Sequence, residues 1–162
     1  MPGARDQRSV EVRADVLVYS APVFSSDVEV TGPITLELFA KSSAVDTDFT
    51  AKLVDVWPDG FAQNLTEGII RARYRDSTDK PILLNPGEIY KFTINLWATS
   101  NVFLKGHKLR LEVSSSNFPR FDRNLNTGEA IAGATKWASA TNEVFHDAQY
   151  PSALILPVLP LQ

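Results

Sequence analysis

The chain runs to 162 residues with 44% hydrophobic and 22% charged side chains, a single-domain length with enough apolar material for one core. Its net charge of −3 gives no electrostatic footprint for nucleic acid or an acidic membrane, and no apolar run reaches the roughly 18 residues of a membrane span. The absence of cysteine excludes disulfides, thiolate catalysis and Cys-ligated zinc.

Residues 1–13 are charged and carry Gly and Pro, and they read as an incoming linker to a domain over 14–162. The start, "MPGARDQRSV", has no apolar leader core, so a cytoplasmic location is expected. From 14 onwards the dominant signal has period two. "ADVLVYS" (14–20) is a first short strand. "GPITLELFAK" (32–41) puts Ile34, Leu36, Leu38 and Ala40 on one face and Thr35, Glu37 and Lys41 on the other. "DFTAKLVDVW" (48–57) follows, and "GIIRARYR" (68–75) alternates Ile70, Ala72 and Tyr74 against a wet face of Arg71, Arg73 and Arg75. "EIYKFTINLW" (88–97) and "HKLRLEVS" (107–114) alternate in the same way. A short helix is predicted over "GEAIAGATKWA" (128–138), weakened by its two glycines. "TNEVFHD" (141–147) and "SALILPVL" (152–159) are the last strands. Turn signals at "TGP", "PDG", "NPG", "KG" and "NTG" separate these segments. Half-wet strands with frequent turns are antiparallel, and they predict an all-β sandwich or barrel.

The chemistry-bearing residues do not assemble into a catalytic motif. A serine nucleophile on an α/β scaffold needs the strained G-x-S-x-G elbow, which is absent. Ser114, Ser115 and Ser116 stand at a strand end, where hydroxyls satisfy backbone groups. His107 and His146 are the only histidines, and both read as hydrogen-bonded structural residues. Two histidines without cysteine do not make a transition-metal site, so no metal and no cofactor are expected. "DTDF" (46–49) lacks the rest of a calcium loop, so its aspartates are expected to close a turn. The segment "NFPRFDRN" mixes arginine with aromatics. In a chain of this charge, that mixture suits a protein partner better than single-stranded nucleic acid. Asn117, Phe118, Arg120, Phe121, Asp122 and Arg123 are therefore the candidate interface residues.

Four long blocks carry a resemblance: "TGPITLELFAKSSAVDTDFTAKLVDVWPDG", "EGIIRARYRDS", "WATSNVFLKGHKLRLEVSSSNFPRFDRNLNTG" and "FHDAQYPSALILPVLP". Together they resemble the C-terminal domain of the CocE/NonD serine hydrolases, from about residue 8 to 160. That family includes cocaine esterase, α-amino acid ester hydrolases, glutaryl acylases and X-Pro dipeptidyl-peptidases. The resemblance implies an all-β jelly-roll β-sandwich, similar to galactose-binding-like domains. Its partner would be an α/β-hydrolase catalytic domain, on the same polypeptide or a separate chain, that carries the Ser-Asp-His triad and a helical cap. No catalytic residue carries over to any position here. The jelly roll is already under way where the chain begins, so its first strand or strands would be missing. The exposed edge would then invite a homo-oligomer or a partner chain. Glu129 follows Gly128 where the family has a second glycine. The function implied is a non-catalytic domain that stabilises the hydrolase domain and walls its active site. The alternative is a free-standing carbohydrate-binding sandwich using Trp57, Trp97 or Trp137, although Trp57 and Trp97 fall at strand ends where packing is expected.

Overall fold

A computed structural model describes residues 3–130 and 132–160. Among them a short helix α1 (Arg8–Glu11) precedes strands β1 (Leu17–Ser20), β2 (Val28–Ser42), β3 (Asp48–Val56) and β4 (Ala62–Arg71). A 3-10 turn (Ala72–Tyr74) follows β4. Then come β5 (Tyr90–Phe103), β6 (Lys108–Ser114), β7 (Asn142–Phe145), β8 (Ala153–Ile155) and β9 (Val158–Leu159). One sheet runs β1-β6-β3-β4. The other runs β5-β2-β7, with β8 and β9 also paired to β2. Every pairing is antiparallel. The chain changes sheet after β1, β2, β4, β5 and β6, which gives the all-β, jelly-roll-like sandwich that the alternation predicts.

The alternating residues meet between the sheets. Ile34, Leu36, Leu38 and Ala40 of β2 and Phe92, Ile94 and Leu96 of β5 face Phe49, Ala51 and Leu53 of β3 and Leu111 and Val113 of β6. Phe49 and Phe92 close the middle with ring centroids 4.8 Å apart. β3 is buried on both faces, because Val54 and Val56 form a second small cluster with Ala62. Gly68 of β4 lies where a Cβ would sit 2.1 Å from the Asn95 carbonyl oxygen, so only glycine permits this approach of β4 to β5.

Three segments differ from the sequence reading. β5 does not stop at Trp97 but continues to Phe103. Its pairing with β2 steps from Pro33↔Ala98 to Thr35↔Asn95, which leaves one extra residue on β5. That bulge flips the inward parity from Leu96 to Phe103, so a single alternating frame cannot follow the strand. Second, β4 spans 62–71, earlier than the expected 68–75, and the arginines beyond it enter a 3-10 turn with Arg73 buried. Third, no helix forms among the described residues of 128–138. Gly128 sits at φ 76°, a left-handed conformation that ends rather than starts a right-handed helix. Residues 5–11, read as linker, lie on the sheet: Gln7 donates its backbone N–H to Ala62 O at 2.8 Å, and Asp6 bridges to Gln63.

Candidate docking surface at the loop end

The register places three connections at one end of the sandwich. Ser42 pairs with Asn142, Ala40 with Tyr90, Asp48 with Arg71 and Thr50 with Ser114. The β2–β3 loop, the long β4–β5 connection (72–89) and the longer β6–β7 connection (115–141) therefore emerge together. Loops of that length in a compact domain usually serve function or binding.

A buried ionic clasp holds them. Asp46 and Asp48 are fully buried at the start of β3. Arg73 donates to Asp46 through its backbone N–H (3.1 Å to Oδ1) and its Nε (2.9 Å to Oδ2). Arg71 makes a two-pronged contact with Asp48, Nε to Oδ1 at 3.0 Å and Nη2 to Oδ2 at 3.1 Å. One amide from the β6–β7 loop completes both carboxylates: Asn124 Nδ2 donates to Asp46 Oδ2 (2.7 Å) and Asp48 Oδ1 (2.8 Å). Arg73 Nη2 reaches on to the Glu129 carbonyl at 3.0 Å. Charges out of water persist when paired and fully hydrogen-bonded, and this set satisfies that condition.

The candidate residues 117–123 sit beside this clasp, and the structure brings several together. Asn117 Nδ2 (2.7 Å) and Arg120 Nη1 (2.6 Å) converge on the Glu67 carboxylate of β4. Arg123 stacks over the Phe118 ring at 4.7 Å, and Arg120 over the Phe121 ring at 5.7 Å. Asp122 contributes its carbonyl, which accepts from Arg71 Nη2 at 3.5 Å, while its residue surface faces solvent. The Phe118–Pro119 peptide is cis. Phe118 is 58% exposed and Trp137, on the same connection, 74%. A cavity of about 700 Å³ opens beside Phe118, lined also by Ser115, Asn117, Arg123, Asn124 and Asn142 among others.

The serines are committed elsewhere. Ser114 Oγ shares a 2.7 Å hydrogen bond with Thr50 Oγ1, and Ser115 Oγ accepts from Asn142 Nδ2 at 2.6 Å. His107 stands at the opposite end of β6, where its Nδ1 meets Asp55 Oδ1 at 2.9 Å and its ring packs 5.6 Å from Trp57. Burial raises the Asp55 carboxyl, against the pull of His107. His146 packs edge-on to Tyr19 at 5.7 Å. The described serines of this loop are therefore not partnered by an imidazole.

Residues 4–155 match the X-Pro dipeptidyl-peptidase C-terminal non-catalytic domain. The chain belongs to that family. It is 51% identical over 159 residues to cocaine esterase from Rhodococcus sp. (strain MB1 Bresler), covering 97% of this chain and 28% of the esterase. Two solved structures have the same fold. An aminopeptidase from a marine sediment Thaumarchaeota archaeon superposes with a TM-score of 0.92 at 34% identity, covering 96% of this chain and 27% of that one. An α-amino acid ester hydrolase superposes with a TM-score of 0.93 at 31% identity, again covering 96% and 27%. The chain thus spans little more than a quarter of the length of these relatives, and it corresponds to the non-catalytic C-terminal domain of CocE-type hydrolases.

In this X-Pro dipeptidyl-peptidase C-terminal domain, the clasp is what the sequence reading misses. The "DTD" aspartates alone predict a closed turn, and the "RARYR" arginines a wet strand face. Instead each finds the other. The signal was present as alternating charges of opposite sign on two segments of like spacing, but matching them needs the β3–β4 register.

Proposed function

We propose that the chain braces an α/β-hydrolase domain of the same polypeptide and walls its active site, docking through the loop end. The parent enzyme would cleave ester or amide bonds through an acyl-enzyme on its own triad. The observation that supports this reading is the rigid loop end: a buried ionic clasp fixes a connection that presents Phe118 and Trp137 to solvent. Exposed aromatics next to arginine, held in place before binding, are the composition of interface anchors.

The test is a calorimetric titration of the 162-residue chain into the separately produced hydrolase domain of its parent. We expect the Arg120→Ala, Phe121→Ala double variant to weaken binding by roughly tenfold or more. Unchanged affinity would reject this surface.

One feature favours the second reading, a sugar-binding sandwich. Trp97 is 65% exposed beside a cleft of about 440 Å³ lined by Gln63, Asn64, Thr66, Glu67 and Arg120. An indole platform beside amides and hydroxyls can stack on a sugar ring. Tryptophan fluorescence that shifts with an added glycan in the wild type, and not in Trp97→Phe, would support it.

A further inference from the structure

The outer face of the β1-β6-β3-β4 sheet carries a buried acid that the docking role does not use. Glu112, inside β6, is 3% exposed. Its alternating neighbours Leu111 and Val113 point into the core, so Glu112 points away from it, under the segment that carries α1. Across the sheet it stands opposite Val18 of β1 and Lys52 of β3. Lys52 Nζ is 3.0 Å from Gln7 Oε1. Arg110, two residues along β6, gives its Nη1 to Glu11 Oε2 at 2.6 Å. Within the segment Arg8 pairs with Asp6.

Both cations near Glu112 are thus drawn toward the segment, and the group left facing Glu112 is another acid. The Arg110 guanidinium, on the same sheet face two residues from Glu112, brings the Glu11 carboxyl beside it, and Glu11 acts on Glu112 through its charge and a side-chain hydrogen bond. The Oε1 atoms of both are shielded from solvent and find no other donor. Two carboxylates cannot hydrogen-bond unless one carries a proton, and two bare ones in contact repel. The geometry is complete only with a proton between them.

We propose that Glu11 and Glu112 share one proton, and that this proton latches residues 5–11 onto the sheet, so that the segment loosens as the solution turns alkaline. Burial first, and the Glu11 carboxyl after it, push Glu112 up to about 7, against the pull of Lys52 and Arg110. The latched state then holds a proton that the open state releases between pH 4.5 and 7. The latch is closed below that window and weakens as pH rises through it. Residues 5–11 lead into the sandwich, so the state of the latch governs how firmly the entering chain is held.

The test uses the intact 162-residue chain. Carbon-13 NMR of the glutamate carboxyls should show one group titrating near neutrality, absent in Glu112→Gln. In Glu11→Gln the remaining Glu112 titration should move down by at least half a pH unit, because the repelling carboxyl is gone. A midpoint unmoved by Glu11→Gln would leave burial as the whole cause and overturn the shared proton. The latch itself is read by hydrogen exchange as protection factors, which remove the intrinsic pH dependence of exchange. Those of the Gln7 and Glu11 amides should fall at least tenfold between pH 6 and 8.5, and stay level in Glu112→Gln. Equal protection at both pH values in the wild type overturns the latch.

Discussion

Asp46 and Glu112 are both buried carboxylates in one small domain, and their surroundings differ in the sign of the nearest charge. Asp46, at the loop end, receives a guanidinium and an amide, so its charge is neutralised and its lone pairs filled. Glu112, on the outer sheet face, meets a second carboxyl, and the nearby Lys52 and Arg110 reach toward Gln7 and Glu11. Burial alone therefore does not decide what an acid does. A matched cation makes it a permanent strut, whereas a matched acid makes it a proton-dependent joint.

The contrast breaks most visibly at Asp46. Asp46→Ala leaves the Arg73 guanidinium buried without its carboxylate. Removing one partner of such a pair costs about 3–5 kcal/mol. Urea unfolding should show that loss with an unchanged slope if the rest of the fold survives. A loss below 1 kcal/mol would mean that water replaces the carboxylate and that the clasp is not a strut.

At Glu112 the expected effect has the opposite sign. Its folded-state value of about 7 lies above the ordinary 4.5, so the native chain binds a proton that the unfolded chain releases. Stability falls as pH rises from 4.5 through 7, by up to roughly 3 kcal/mol from this group. Glu112→Gln should match the wild type at pH 4.5 and exceed it at pH 8, as read by thermal unfolding at both values. Equal melting temperatures at pH 8 would count against a buried, protonated acid.

Asn124 sharpens the comparison, because it belongs to the strut without carrying charge. Asn124→Ala removes hydrogen bonds to both Asp46 and Asp48 and leaves both arginines paired. We expect a loss of about 2 kcal/mol, in the range for bonds to charged acceptors. It should come with faster amide exchange confined to the β6–β7 connection. Exchange that rises across β3 as well would show that the loop amide also organises the aspartates.

Legibility followed the same divide. The core was readable because period two needs no partner: Ile34, Leu36, Leu38 and Ala40 declare one face from their spacing alone. The family blocks carried the sandwich and its non-catalytic role. The clasp was not readable, because Arg73 leaves the alternating frame at a 3-10 turn and meets Asp46 only through the register of two strands. The helix expected at 128–138 failed on the glycines that weakened it. Asn117 and Arg120 also bind Glu67 within the domain, a contact with no local sequence signature.

The smallest effect concerns Trp97, whose φ of 65° puts a bulky residue in the left-handed region. The bulge that carries it is fixed by a 2.7 Å hydrogen bond from its own N–H to Asn95 Oδ1, while Thr66 Oγ1 donates to the neighbouring Leu96 carbonyl. The backbone shape therefore does not depend on the indole. Left-handed backbone costs an L-residue about 1 kcal/mol, and glycine escapes that cost while gaining freedom in the unfolded chain. The two terms nearly cancel, so Trp97→Gly should change stability by less than about 1 kcal/mol. Little stability at stake in an exposed, unfavourable conformation is what the binding-platform reading of Trp97 requires. If Trp97→Gly instead costs several kcal/mol in chemical denaturation, the indole is a packing element, and the cleft beside it loses its claim as a binding platform.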